Sequence, residues 1–142
     1  MIRALVIFLL TTAPALSWEA RFGAICELLY DDESTSVRLT YDPTIPEYSI
    51  SVTGAQPWES GPFFAMQFDG PRQNFISTNR HVLSDGGQTV TVTDRGFGNV
   101  LNGLEFNDVA TAYLGEQTAS VPLEGAAPAV QEFRACTTAV GV

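Results

Sequence analysis

The chain has 142 residues, with seven Lys and Arg against sixteen Asp and Glu, a single His, and a formal charge of −9. That length fits one domain able to bury a core of its own. The charge repels phosphate backbones and anionic lipid, so nucleic-acid binding is disfavoured; no G-x-x-x-x-G-K-[ST] loop occurs, which disfavours a P-loop nucleotide motor.

Residues 1–17 read as a secretory signal peptide. Met1-Ile2-Arg3 is a charged start, Ala4 to Leu10 an apolar run, and Ala15-Leu16-Ser17 a small-residue cleavage site. Cleavage is expected before Trp18, with cleavage after Ala15 as the alternative. An uncleaved anchor is the competing reading, but the apolar run is short for a membrane span and no later segment approaches one. The remaining domain, Trp18 to Val142, holds six arginines, no lysine and all sixteen acidic residues. Such a field suits cationic peptides, basic protein patches or divalent ions, and it also serves simply to keep an exported protein soluble.

Residues 18–30 predict the first strand, ended by the acidic run Asp31-Asp32-Glu33. That run reads as a solvated turn, since it lacks the twelve-residue spacing of a calcium-binding EF-hand. Val37, Leu39 and Tyr41 alternate with Ser36, Arg38 and Thr40, the period of a half-buried strand. Pro43 and Pro46 break it. Tyr48, Ile50 and Val52 then alternate again, which predicts an antiparallel partner. Gly54 to Pro62 reads as loop, and Phe63 to Phe68 as a central strand with apolar groups on both faces. Asp69-Gly70-Pro71-Arg72 is a turn, and Asn74 to Thr78 a strand. Asp85-Gly86-Gly87 supplies tight-turn glycines, and Thr89 to Thr93 is nearly pure β-former.

Asn99 to Asn107 is ambiguous between a hairpin turned at Asn102-Gly103 and a short helical turn ended by Gly103; the helical turn is preferred. Val109 to Leu114 and Thr118 to Leu123 predict a hairpin. A helix follows Gly125, with Pro128 in its first turn and Ala126, Ala129, Val130 and Phe133 as its apolar stripe. The tail from Thr137 is expected to be loose. Strands joined by turns imply a mainly β fold: an antiparallel β-sandwich or strongly curved sheet with a short C-terminal helix packed on it.

Two cysteines in an exported chain read as one disulfide, Cys26 to Cys136. The helix would carry Cys136 to the strand that holds Cys26. With one histidine and no CxxC or HxxxH spacing, neither a metal site nor a cofactor site is indicated.

A hydrophobic strand, then Leu and Gly, then an Ala-rich helix with Phe and a terminal Cys, formed here by Val121, Leu123, Gly125, Ala129, Phe133 and Cys136, resembles the C-terminal part of small exported bacterial β-sandwich proteins of the invasion-associated locus B type. Some type VI secretion accessory proteins end similarly, and the chain is also similar to exported proteins of alphaproteobacteria. The resemblance covers about the last 30 residues. It implies an envelope protein that engages a partner, and it transfers no catalytic residue.

Several residues qualify as candidate sites. His81 normally changes charge near neutral pH. A hydrolase would use Ser77 or Ser84 as nucleophile, His81 as base and Asp85 or Asp94 to orient it. No G-x-S-x-G elbow supports this, and strand residues three apart point to opposite faces. Paired carboxylates for glycoside hydrolysis cannot be singled out among sixteen acids. Arg72, Arg80 and Arg95 flank the central strands; sharing an edge, they would form an anion or partner site, and otherwise separate salt bridges. Trp58, in a Pro- and Gly-rich loop, is the aromatic expected to be exposed as an interface anchor, while Phe63, Phe64, Phe68 and Phe75 are expected to pack in the core or against loops. The preferred reading is a non-enzymatic periplasmic or secreted module that binds a protein partner in the cell envelope. The alternatives are a small hydrolase centred on His81, and a small-ligand carrier with a cavity between the sheet and the C-terminal helix.

Overall fold

A computed structural model describes residues 6–10 and 18–140. Most of the expected signal segment, including its cleavage site, lies outside the described residues; Val6 to Leu10 have no regular structure and stand exposed. No described helix is long and apolar enough to cross a membrane.

The expected first strand is two strands, β1 (Trp18–Arg21) and β2 (Cys26–Asp31), paired antiparallel with Trp18 opposite Tyr30. Continuous β-propensity across 18–30 hid the reversal, which lies in the exposed segment Phe22-Gly23-Ala24-Ile25. Next come β3 (Thr35–Asp42) and β4 (Glu47–Gly54), in register along their whole length. The prolines between them are bridged by Asp42, whose carboxylate accepts from the Thr44 amide at 2.9 Å and its hydroxyl at 2.6 Å. The other neighbour of β4 is β8 (Thr89–Asp94), edged by the short β7 (Val82–Ser84). The six-stranded sheet therefore runs β1-β2-β3-β4-β8-β7.

The second sheet is built from β5 (Phe64–Asp69), β6 (Asn74–Thr78), β9 (Val109–Leu114) and β10 (Gln117–Pro122), in the order β10-β9-β5-β6. Both sheets are antiparallel throughout. The β9–β10 hairpin turns at Gly115, whose φ of 61° suits a residue without Cβ. Phe63 to Phe68 does yield an internal strand, but with one apolar face. Phe64, Met66 and Phe68 point into the core, while Phe63 is 59 % exposed.

The inner faces meet in one core. Leu28, Leu39, Val52 and Val90 contribute from the large sheet, and Phe68, Ala112 and Leu114 from the small one. Trp18 ties the two sheets at their edges, its indole N–H donating to the Pro122 carbonyl at 2.9 Å. The helical reading of 99–107 is the right one: α1 spans Gly98–Glu105 and ends before Phe106. Gly103 does not end this helix but lies inside it, and a Cβ there would collide with the Phe68 ring. Its missing side chain lets α1 press onto β5.

The last helix, α2 (Ala126–Val140), follows Gly125 at φ 76°. It buries Ala126, Ala129, Val130 and Phe133, the stripe read from the sequence. As far as Val140 the expected loose tail is instead helical, and residues 141 and 142 lie outside the described residues. Thr137 and Thr138 donate back to the Arg134 carbonyl at 2.9 and 3.0 Å, continuing the helix with side-chain bonds. Cys136 is joined to Cys26, closing a sequence separation of 110 residues. The bond fits a protein of an oxidising compartment.

Candidate functional site

His81 follows β6 on the way to β7, half-buried. Its Nε2 donates to the Gly61 carbonyl at 3.0 Å, which leaves Nδ1 as a buried acceptor with no partner. The ring lies beside Phe64, centroids 6.5 Å apart. Ser77 is on β6, Ser84 at the exposed end of β7, and Asp85 accepts from the Thr89 hydroxyl at 3.0 Å. Asp94 is engaged elsewhere. None of these groups is hydrogen-bonded to the imidazole, so no nucleophile–base–orienter chain is assembled.

The three arginines do not share an edge. Arg72 sits in the turn before β6, its guanidinium carbon 4.3 Å from the Phe106 ring centroid. Arg80 lies past the other end of β6 and donates to Asp94 at 2.9 Å. Arg80, through its guanidinium, and Arg95, through its backbone amide, both bond Asp94. The Arg95 amide donates to Asp94 Oδ1 at 2.7 Å. That amide first, and then the Arg80 guanidinium, hold the Asp94 carboxyl below its ordinary range.

Trp58 is not an exposed anchor. It is 5 % exposed, its indole donates to the Val52 carbonyl at 3.2 Å, and its amide to Gly87 at 2.7 Å. The Pro/Gly-rich loop folds back over the end of β4, and the indole fills the space beneath. Of the aromatics singled out from the sequence, the exposed ones are Phe63 and Phe75, at 59 % and 61 %. Both were expected to pack, but strand alternation places them with Gln67 on the outer face of the small sheet.

The acidic run 31–33 is a turn. The Asp32 carboxylate accepts from the Ser34 and Thr35 amides at 2.7 and 2.8 Å and from the Tyr30 hydroxyl at 2.8 Å. The Ser34 amide is the main cause holding its pKa low, followed by the Tyr30 bond. Among the described residues, no group of three or more His, Cys, Asp or Glu is placed to hold a metal ion.

Two concavities stand out among the described residues. One, of about 500 Å³, lies on the outer face of the large sheet. Its hydroxyls satisfy one another, Ser51 with Thr91 at 2.8 Å and Thr53 with Thr89 at 2.9 Å, and its Arg38 holds Glu27. The other is a cleft of about 470 Å³ between the two sheets. It is not under α2, where Phe133 and Val130 are fully buried and fill the interior. It opens because β7 pairs with β8 only as far as Thr91, leaving Val92 to Asp94 without a neighbour on that side. Facing them is β6, the edge of the other sheet. Ile50 and Val92 form one wall, Met66 and Ile76 the other, and Phe97 and Val100 of the α1 region close the end. Arg80 and Asp94 stand at the mouth.

No family model, curated protein or solved structure matches this chain. The cleft was not legible in advance. Its residues come from β4, β5, β6, β8 and α1, and the only local signal was the company of Arg80 and Asp94 with alternating apolar positions.

Proposed function

We propose that this chain is a non-enzymatic binding module of the periplasm or the extracellular space, and that its binding site is the cleft between the sheets. The cleft itself carries the reading. At about 470 Å³ it falls inside the range of roughly 300–1,000 Å³ typical of small-ligand sites, and its apolar walls with a few polar groups at the mouth match their usual chemistry. The disulfide supports the compartment, and the binding role agrees with the C-terminal resemblance to invasion-associated locus B proteins. The histidine gives one ring nitrogen to a backbone carbonyl, and no serine or carboxylate is hydrogen-bonded to the other.

A neutral hydrophobic dye, N-phenylnaphthylamine, tests the site. The oxidised protein should brighten it saturably at one dye per chain, and Ile76→Trp, which fills the cleft from a half-buried position, should abolish the signal with the circular dichroism spectrum unchanged. Equal brightening by the filled variant would sink the reading. N-terminal sequencing of protein recovered outside the cytoplasm tests the compartment; Trp18 is the expected first residue.

Contact with an envelope protein is the second reading, favoured by the exposed pair Phe63 and Phe75. A Phe63→Ser/Phe75→Ser double variant should lose any partner cross-linked by the parent protein. Retention of that partner would dismiss this face.

A further inference from the structure

The mouth of the cleft differs in charge from the rest of the molecule. Acidic residues outnumber basic ones sixteen to seven along the chain, yet here one arginine, Arg80, stands against one carboxylate, Asp94. The arginines elsewhere in the domain are occupied. Arg21, Arg38 and Arg134 hold glutamates at 3.4, 3.0 and 3.0 Å, and Arg72 covers Phe106. Arg95 is exposed and forms no ion pair among the described residues.

Arg80 is only partly committed. Of five guanidinium N–H donors, one is given to Asp94, and the side chain is 65 % exposed. Asp94 does not depend on it, because the Arg95 amide supplies a bond at 2.7 Å. The guanidinium can therefore turn to a second carboxylate without leaving Asp94 unpaired. The adjoining first turn of α1 adds no acidic residue. Behind Arg80, the walls are apolar.

We infer that the cleft takes a small amphiphilic carboxylate, with its hydrocarbon body between Met66, Ile76 and Val92 and its head group on Arg80. The inference rests on the cleft being the binding site and names what fills it. The apolar body gains by leaving water, about fourfold in affinity for each methylene buried. The head gains a charge-assisted bond with a fork that matches carboxylate geometry. A cationic amphiphile would suit the net charge of the chain but meets Arg80 at this mouth, where the one carboxylate, Asp94, is already paired.

The test is an NMR titration of the oxidised protein with hexanoate, octanoate and 1-octanol. The expected result is amide shifts at Ile76, Val92 and Phe97 to Val100, with octanoate tighter than hexanoate by about fourfold per added methylene. Octanoate should also bind about fivefold tighter than 1-octanol, the size of a good exposed ion pair. Arg80→Gln should erase the difference between octanoate and 1-octanol, and Asp94→Asn, which releases Arg80, should widen it. Equal binding of acid and alcohol, or a preference that survives Arg80→Gln, overturns the carboxylate while leaving the cleft as the site. If neither molecule shifts the cleft residues, the site and the carboxylate fall together.

Discussion

Asn107 is 7 % exposed and clamps the β5–β6 turn to the end of α1. Its Oδ1 accepts from the Arg72 amide at 3.0 Å, and its Nδ2 donates to the Arg72 and Gly103 carbonyls at 2.8 and 3.0 Å. The Gly103 carbonyl belongs to the last helical turn, where no intrahelical partner exists. Asn107→Ala removes all three bonds. At a net value near 1 kcal/mol each, the full loss is about 3 kcal/mol. Arg72 lies on an exposed turn, where water recovers part of its two bonds, so the expected loss is about 2 kcal/mol. That is about a thirtyfold change in the folded-to-unfolded ratio. Urea denaturation with an unchanged slope measures it. Asn107→Asp sharpens the test. It keeps the acceptor but turns an oxygen towards two carbonyls, so its carboxylate is disfavoured and its folded pKa rises above the unfolded value. Its stability relative to the parent should then be highest at acid pH and fall as pH climbs through the carboxyl range. A loss under about 0.5 kcal/mol for Asn107→Ala, below what one net bond supplies, would refute the clamp.

The disulfide closes 110 residues, and the chain-entropy relation gives about 4.8 kcal/mol for that loop. Urea curves for the oxidised protein and a Cys26→Ala/Cys136→Ala variant should differ by about that much, and a gap below about 1.5 kcal/mol would contradict the model. Gly103→Ala should destabilise, because overpacking against Phe68 costs about 1–3 kcal/mol and exceeds the roughly 1 kcal/mol of helix propensity gained; a stabilised variant would show that the contact yields freely. Burial, helped by the bond to Asp32, pushes the Tyr30 phenol from 10.0 up to about 12. The stability it contributes is intact below its unfolded value and drains away as pH rises towards about 12, and ultraviolet titration of the parent against Tyr30→Phe should show the missing late phase.

Local pattern carried much of this architecture. The alternation of Val37, Leu39 and Tyr41 against Tyr48, Ile50 and Val52 announced β3 and β4, because a one-residue slip would turn every apolar group outward. Ala126, Ala129, Val130 and Phe133 announced α2, and two cysteines left a single intramolecular pairing. What escaped were features set by distant segments. Trp58 looked exposed because its loop is rich in Pro and Gly, yet Gly87 and Val52 hold it inside. Thr137 and Thr138 looked loose because chain ends usually fray, yet they lie within α2. The cleft depends on where β7 stops, and nothing in Val82-Leu83-Ser84 announces that.

The pairing of Cys26 with Cys136 also orders events during biosynthesis. One cysteine is made 110 residues before the other, and with only two cysteines in the chain the early one can form a disulfide meanwhile only with another molecule. A polypeptide cut short before the final helix thus keeps a bare thiol. Full-length molecules lose theirs once α2 docks, so this covalent seal distinguishes finished copies from fragments.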